Sequence, residues 1–246
     1  MAGSEEAAPS PDHGPSNLAL RWMSSLVLAP VVLVITYWGG WPFVAFWTLA
    51  ACIVLWEWSA LVRGSSGGTR TLASFAVWMI AGLLYAGVLL IGPVILRGDA
   101  ALGFVAIVFL FAVVWGTDVF AYFTGRALGG PKLMPAVSPK KTWSGAIGGT
   151  LGAVAAGLLV VGVAGVALTL PLAGVALLLS VASQGGDLIE SAIKRHCGVK
   201  DASHLIPGHG GVMDRLDGFL TAVLAAAMVG LWRGGLAAPA QGLLIW

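Results

Sequence analysis

The 246-residue chain has little charge: Lys and Arg number 13 and Asp and Glu 11, so 10% of residues are charged. Soluble domains carry about 25%. With 58% hydrophobic residues and a mean hydropathy of +0.92, that shortage excludes an ordinary soluble globular domain and places the chain in a bilayer. Only two cysteines occur, Cys52 in an apolar run and Cys197 in a polar one, which excludes a disulfide framework and a Cys-based zinc site. The leader Met1 to Asn17 lacks a basic n-region and so does not read as a cleaved signal peptide; its Pro- and Glu-containing composition predicts a disordered tail. No GxxxxGK[ST] motif occurs, since Gly125 and Gly130 have the spacing but Pro131 follows, and this excludes a P-loop. The net charge of +2 says little by itself, since in a membrane protein the position of the cations matters more than their sum; no nucleic acid partner is expected.

What is there instead is a series of apolar runs about 20 residues long, the length that crosses the hydrocarbon core as a helix. Seven can be placed: Leu18 to Trp38, Pro42 to Val62, Leu72 to Ile91, Ala101 to Phe123, Ser144 to Ala167, Leu170 to Ile193 and Leu216 to Trp232. The predicted fold is an all-α polytopic transmembrane helix bundle. It divides into a tail (1–17), N-terminal membrane helices (18–100) and a catalytic membrane region (101–246) with polar loops at 124–143 and 194–215. If the spans alternate, eleven Lys and Arg fall on one side and only Arg97 and Arg233 on the other. By the positive-inside rule the N-terminus and both polar loops are then cytoplasmic, as in a multi-pass inner-membrane protein.

Small-xxx-small spacings in Gly145, Gly148, Gly149 and Gly152 predict close helix packing. Trp38, Trp41, Trp115, Trp143 and Trp232 lie near span ends, as interfacial anchors do. Glu57, near the cytoplasmic end of the second span, is expected to be structural, either snorkelling to the interface or pairing with Arg63.

The chemistry-bearing residues form three clusters on the cytoplasmic side. Asp118, Tyr122 and Arg126 stay roughly on one helical face; Ser138, Lys140, Lys141 and Thr142 share a loop with Lys132; and the richest stretch runs from Asp187 to Asp217. Asp187, Glu190, Ser191 and Lys194 fall at i, i+3, i+4 and i+7, a polar stripe that is costly in lipid and therefore points to function. Carboxylates beside lysines at an interface suit phosphates and a divalent cation: oxygen ligands favour Mg²⁺, and Lys and Arg neutralise the remaining phosphate charge. Gly208-His209-Gly210-Gly211, ahead of a helix, is a candidate anion nest. A zinc site from His196, Cys197, His204 and His209 fits no usual spacing.

Read together, these stretches resemble the phosphatidate cytidylyltransferases, or CDP-diacylglycerol synthases. The family signature S-x-x-K-R, K-D, P-G-H-G-G-x-x-D-R-x-D is reproduced by Ser191, Lys194, Arg195, Lys200, Asp201, Pro207 to Gly211, Asp214, Arg215 and Asp217. Upstream, Asp118 with Ala121 to Phe123, Gly125-Arg126, Ser138 to Trp143, and Gln184 with Gly186-Asp187 also match. Ser144 departs from the pattern, standing where the family usually has Glu. The resemblance implies that CTP and phosphatidic acid react to give CDP-diacylglycerol and pyrophosphate. It implies Asp187 and Asp214 as principal Mg²⁺ ligands, Asp217 as ligand or support, and Asp118 as holder of a second cation, such as K⁺, or orienter of Arg126. Lys140, Lys141, Lys194 and Arg215 would bind the triphosphate and lipid head, with Ser138, Thr142, Arg126, Lys200, Gly210 and Gly211 lining the substrate site and His209 donating to the leaving group. A homodimer is left open. The competing readings are a cation-coupled transporter, which charges gathered on one side and the lack of an inverted repeat argue against, and another lipid transferase such as a polyprenol kinase.

Overall fold

The computed structural model describes residues 17–64, 71–203, 205–206 and 210–246, with side chains from residue 26 onward. The predicted tail, Arg21, Arg70, His204 and His209 therefore lie outside the described residues or side chains. The chain forms α1 (Asn17–Trp38), α2 (Gly40–Gly64), α3 (Leu72–Gly98), α4 (Gly103–Leu128), a β1 (Lys132–Met134) and β2 (Ser138–Thr142) hairpin, α5 (Trp143–Val163), α6 (Leu170–His196), α7 (Met213–Gly234) and α8 (Pro239–Leu244). Six of these helices, α2 to α7, are long and apolar enough to cross a membrane, and α1 adds the apolar segment Leu26–Trp38. The protein is an all-α membrane bundle.

The structure differs from the apolar runs in two ways. α3, α4 and α6 continue past their apolar stretches to Gly98, Leu128 and His196, because intrahelical hydrogen bonds continue where apolar side chains stop. The polar loop after α4 is not irregular: β1 and β2 pair antiparallel, Lys132 opposite Thr142 and Met134 opposite Ser138. Thr142 then accepts the backbone N–H of Gly145 at 3.2 Å and so caps α5.

Small residues set the helix spacing, as the sequence pattern predicts. A Cβ on Gly149 would lie 2.7 Å from the Thr117 carbonyl, and one on Gly145 2.9 Å from the Ala121 carbonyl, so α4 and α5 touch backbone to backbone. The apolar core is continuous from α2 to α8, and Trp47 of α2 stacks on Phe219 of α7 at 4.9 Å, so no break in packing falls near residue 100. Trp47 and Trp58 belong to this core, while Trp38, Trp41, Trp143 and Trp232 are exposed at helix ends.

All the polar clusters lie at one end of the bundle, where α2, α4 and α6 finish and α3, α5 and α7 begin. The opposite end is closed by helix-end contacts. Arg97 donates to the carbonyls of Thr36 (2.8 Å) and Tyr37 (3.1 Å), satisfying the end of α1, and Arg233 donates to Gly242 and Ile245 (both 2.7 Å) beyond α7. The two cations predicted to sit apart from the others thus serve as caps.

Candidate active site

The polar stripe on α6 is a single face as predicted. Ser191 Oγ donates to Asp187 Oδ1 at 3.4 Å, and Lys194 Nζ donates to Glu190 Oε1 at 3.0 Å. Toward the hairpin, Lys141 donates to Asp187 Oδ2, an ion pair joining β2 to α6. Asp118, on α4, lies within electrostatic reach of Asp187, Lys141 and Arg215. Asp217, on α7, lies within reach of Asp187, Asp118 and Lys194. Three carboxylates from three helices therefore converge on one region, with Lys141 against one of them. Among the described residues no three ligating side chains are already gathered at coordinating separation. The donor set itself, carboxylate oxygens beside cationic side chains, is the kind a hard divalent cation with phosphate ligands uses.

Asp214, expected as a metal ligand, is held here by groups of the protein itself. Its Oδ1 accepts Lys194 Nζ at 2.6 Å, and its Oδ2 accepts the N–H groups of Ala202 (3.0 Å) and Gly211 (2.8 Å). Both oxygens are engaged, and the carboxylate holds the two ends of the 201–211 loop together. The anion-nest expectation meets the same geometry: the Gly211 N–H points to Asp214, and a Cβ on Gly210 (φ +82°) would lie 2.7 Å from Asp214 Oδ2. Gly210 and Gly211 let the Asp214 carboxylate approach the backbone; Gly208 and His209, the rest of the expected nest, lie outside the described residues.

The other expected residues divide by position. Lys140, Arg126, Lys200 and Arg215 are exposed at the site end, and Ser138 opens β2 partly covered. Thr142 is buried as the α5 cap, so it does not present its hydroxyl to solvent. Arg126 donates to the Tyr122 hydroxyl at 2.8 Å one turn earlier, and Asp118 lies within electrostatic reach of Lys141 and Arg215. Ser144, where the family pattern has Glu, donates to the Gly129 carbonyl and stands 3.1 Å from the Thr142 hydroxyl, closing the hairpin onto α5.

Three residues have roles that spacing did not reveal. Glu190 is buried between Lys194 and the Tyr85 hydroxyl, which donates to its Oε2 at 3.0 Å. A chain of contacts thus runs from Tyr85 on α3 through Glu190 and Lys194 to Asp214 on α7. Glu57 neither snorkels nor pairs with Arg63. It is fully buried and accepts the N–H groups of Val212 (2.9 Å) and Met213 (2.7 Å), while Arg63 donates to Ser59. For Glu57 the sequence signal was the cost of a carboxylate in an apolar helix; Glu190 stood on the polar stripe of α6 without its Tyr85 partner being visible, and Tyr85 carried no signal.

Comparison with known proteins shows the family. Residues 69–232 match the model of the Cytidylyltransferase family. A phosphatidate cytidylyltransferase of Brucella abortus is 42% identical over 262 residues, covering 91% of this chain and 96% of the relative. Phosphatidate cytidylyltransferases of Rickettsia bellii (32% identical, 90% of this chain and 94% of the relative) and Haemophilus influenzae (44% identical, 49% and 44%) also match. With near-complete coverage at 42% identity and a family match across α3 to α7, this chain belongs to the cytidylyltransferase family, among the membrane phosphatidate cytidylyltransferases.

Proposed function

We propose that the protein transfers the cytidylyl group of CTP to phosphatidic acid, forming CDP-diacylglycerol and pyrophosphate for phospholipid synthesis. The observation that carries this reading is that Asp118, Asp187 and Asp217, from three helices, lie within electrostatic reach of one another, with Lys141 paired to Asp187, toward the loop end of a membrane bundle. A lipid phosphate and a water-soluble nucleotide can meet only at such a depth. The eleven-to-two distribution of cations supports a cytoplasmic site, where CTP is found.

In the reaction an oxygen of the phosphatidate bonds to the α-phosphorus of CTP. The bond from that phosphorus to the α,β-bridging oxygen breaks, and its electron pair leaves on pyrophosphate. No side chain is needed as base, because the lipid phosphate is ionised near neutral pH. The protein's task is placement and charge neutralisation. Lys140, Lys141 and Arg215 would draw in the triphosphate, with Arg126 and Lys200 exposed nearby to assist. Asp187, Asp217 and Asp118 would hold Mg²⁺, which when bound neutralises phosphate charge and polarises the reacting phosphorus. Lys141 would exchange Asp187 for the nucleotide as the site fills. Asp214 and Lys194 would form the wall of the site, with Asp214 tying Ala202 to Gly211.

The test is purified protein in detergent with labelled CTP, Mg²⁺ and phosphatidic acid. Labelled lipid should form with wild type and fall at least about 100-fold with Asp187→Asn. Absence of lipid product from wild type, or an undiminished rate in the variant, would overturn the reading.

A further inference from the structure

α7 begins without a cap of its own. Its N-cap residue is Val212, which has no side-chain acceptor, and the next residue is Met213. The first N–H groups of a helix have no intrahelical partner and need an acceptor, above all when buried. Here the acceptor comes from another helix. Glu57 reaches from α2, about 10 Å along the axis from that helix's end, and takes the Val212 and Met213 N–H groups on Oε1 and Oε2. Its Oε1 also accepts the Ser203 hydroxyl. A carboxylate at a helix N-terminus forms charge-assisted hydrogen bonds and meets the positive end of the dipole.

The place is prepared for it. A Cβ on Gly211 would lie 2.5 Å from Glu57 Oε1 and 2.9 Å from Ser203 Oγ, so only a glycine lets the carboxylate reach the turn. Asp214 grips the same turn from the other side, through the Gly211 and Ala202 N–H groups. Two buried carboxylates on separate helices therefore hold 202–203 and 211–213 together. The residues that follow at once on α7 are Asp214, Arg215 and Asp217.

Resting on the function proposed above, we infer that Glu57 is a positioning residue for the transfer reaction. Through the backbone of 212–213 it sets the height and rotation of the first turn of α7, and so the places of Arg215 and Asp217. Glu57 touches no substrate. Its effect is on geometry, where a misplacement of about 1 Å can cost about 100-fold in rate.

The experiment compares Glu57→Gln and Glu57→Ala with wild type as full-length protein in detergent, each normalised to the folded, monodisperse fraction. Glu57→Gln keeps shape and one carbonyl acceptor but faces its second N–H with an amide donor. The expected result is a kcat lower by about 10-fold in Glu57→Gln and about 100-fold in Glu57→Ala, with KM for phosphatidic acid changed less than about 3-fold. Amide exchange over 210–216 should be faster in both. A purely structural role would lower the folded yield and leave kcat per folded molecule unchanged. Two variants within about twofold of wild-type kcat, or unchanged exchange at 210–216, would overturn the inference. If Glu57→Ala does not fold, Glu57→Gln decides. If wild type forms no CDP-diacylglycerol, the function reading fails, and the exchange measurement still decides whether Glu57 holds α7.

Discussion

Lys194 supplies the most demanding test of how the site end is held together. Its ammonium lies 3.0 Å from Glu190 Oε1 and 2.6 Å from Asp214 Oδ1, with 11% of the side chain exposed. Lys194→Met would leave two carboxylates facing each other without a cation. Removing one partner of a buried pair costs about 3–5 kcal/mol, because the other charge remains buried. The donors that stay, the Tyr85 hydroxyl on Glu190 and the Ala202 and Gly211 N–H groups on Asp214, keep the cost near that range. For a chain of this size each kcal/mol corresponds to about 2–4 °C, so the melting temperature should fall by about 6–20 °C. The assay is thermal unfolding of purified protein in a single detergent. Adding Glu190→Gln to the variant removes one of the two orphaned charges and should recover part of the loss. A shift under about 2 °C for Lys194→Met, or a double variant less stable than the single one, would refute the reasoning.

Three further outcomes follow from other contacts. Gly210→Ala, which combines a φ of +82° with a Cβ 2.7 Å from Asp214, should lose activity and about 1–3 kcal/mol, whereas Gly165→Ala, at φ +75° in open space, should lose stability alone; equal activity in the two would count against the loop's role. At the opposite end, burial pushes the Asp99 carboxyl up, but the N–H groups of Gln241, Leu102 and Ala101 outweigh it and hold the group below its ordinary 3.8. Because the folded value is depressed, the stabilisation is complete above that value and is lost as pH falls through the folded one. The melting-temperature gap between wild type and Asp99→Asn should therefore narrow from about pH 5 to about pH 3, and a constant gap would refute it. Chelation with EDTA should abolish CDP-diacylglycerol formation and added Mg²⁺ restore it; turnover that persists in EDTA would remove the cation from the reaction.

Much of the architecture was legible in composition. Runs of about 20 apolar residues can only be spans, because an unpaired backbone in lipid costs too much. The glycine ladder on α5 likewise predicted close helix packing, since close approach needs small residues, while the partner, α4, came from the structure. The site was legible as a set of residue types and less so as a set of partners. Spacing brought Asp187, Glu190, Ser191 and Lys194 onto one face, because helical periodicity is local. Spacing did not show that Lys141 would meet Asp187, that Thr142 would turn to a helix cap, or that Asp214 would hold a loop.

Glu57 marks the boundary between the two kinds of information. The sequence alone determined that this is a membrane helix bundle whose charges gather at one end and match a phosphate-handling enzyme, because lipid penalises every charge without a task. Which charge performs which task was decided only by the tertiary structure. Val212 and Met213 lie 155 and 156 residues from Glu57, and hydrogen bonding between them depends on how α2 and α7 pack, which no local pattern encodes.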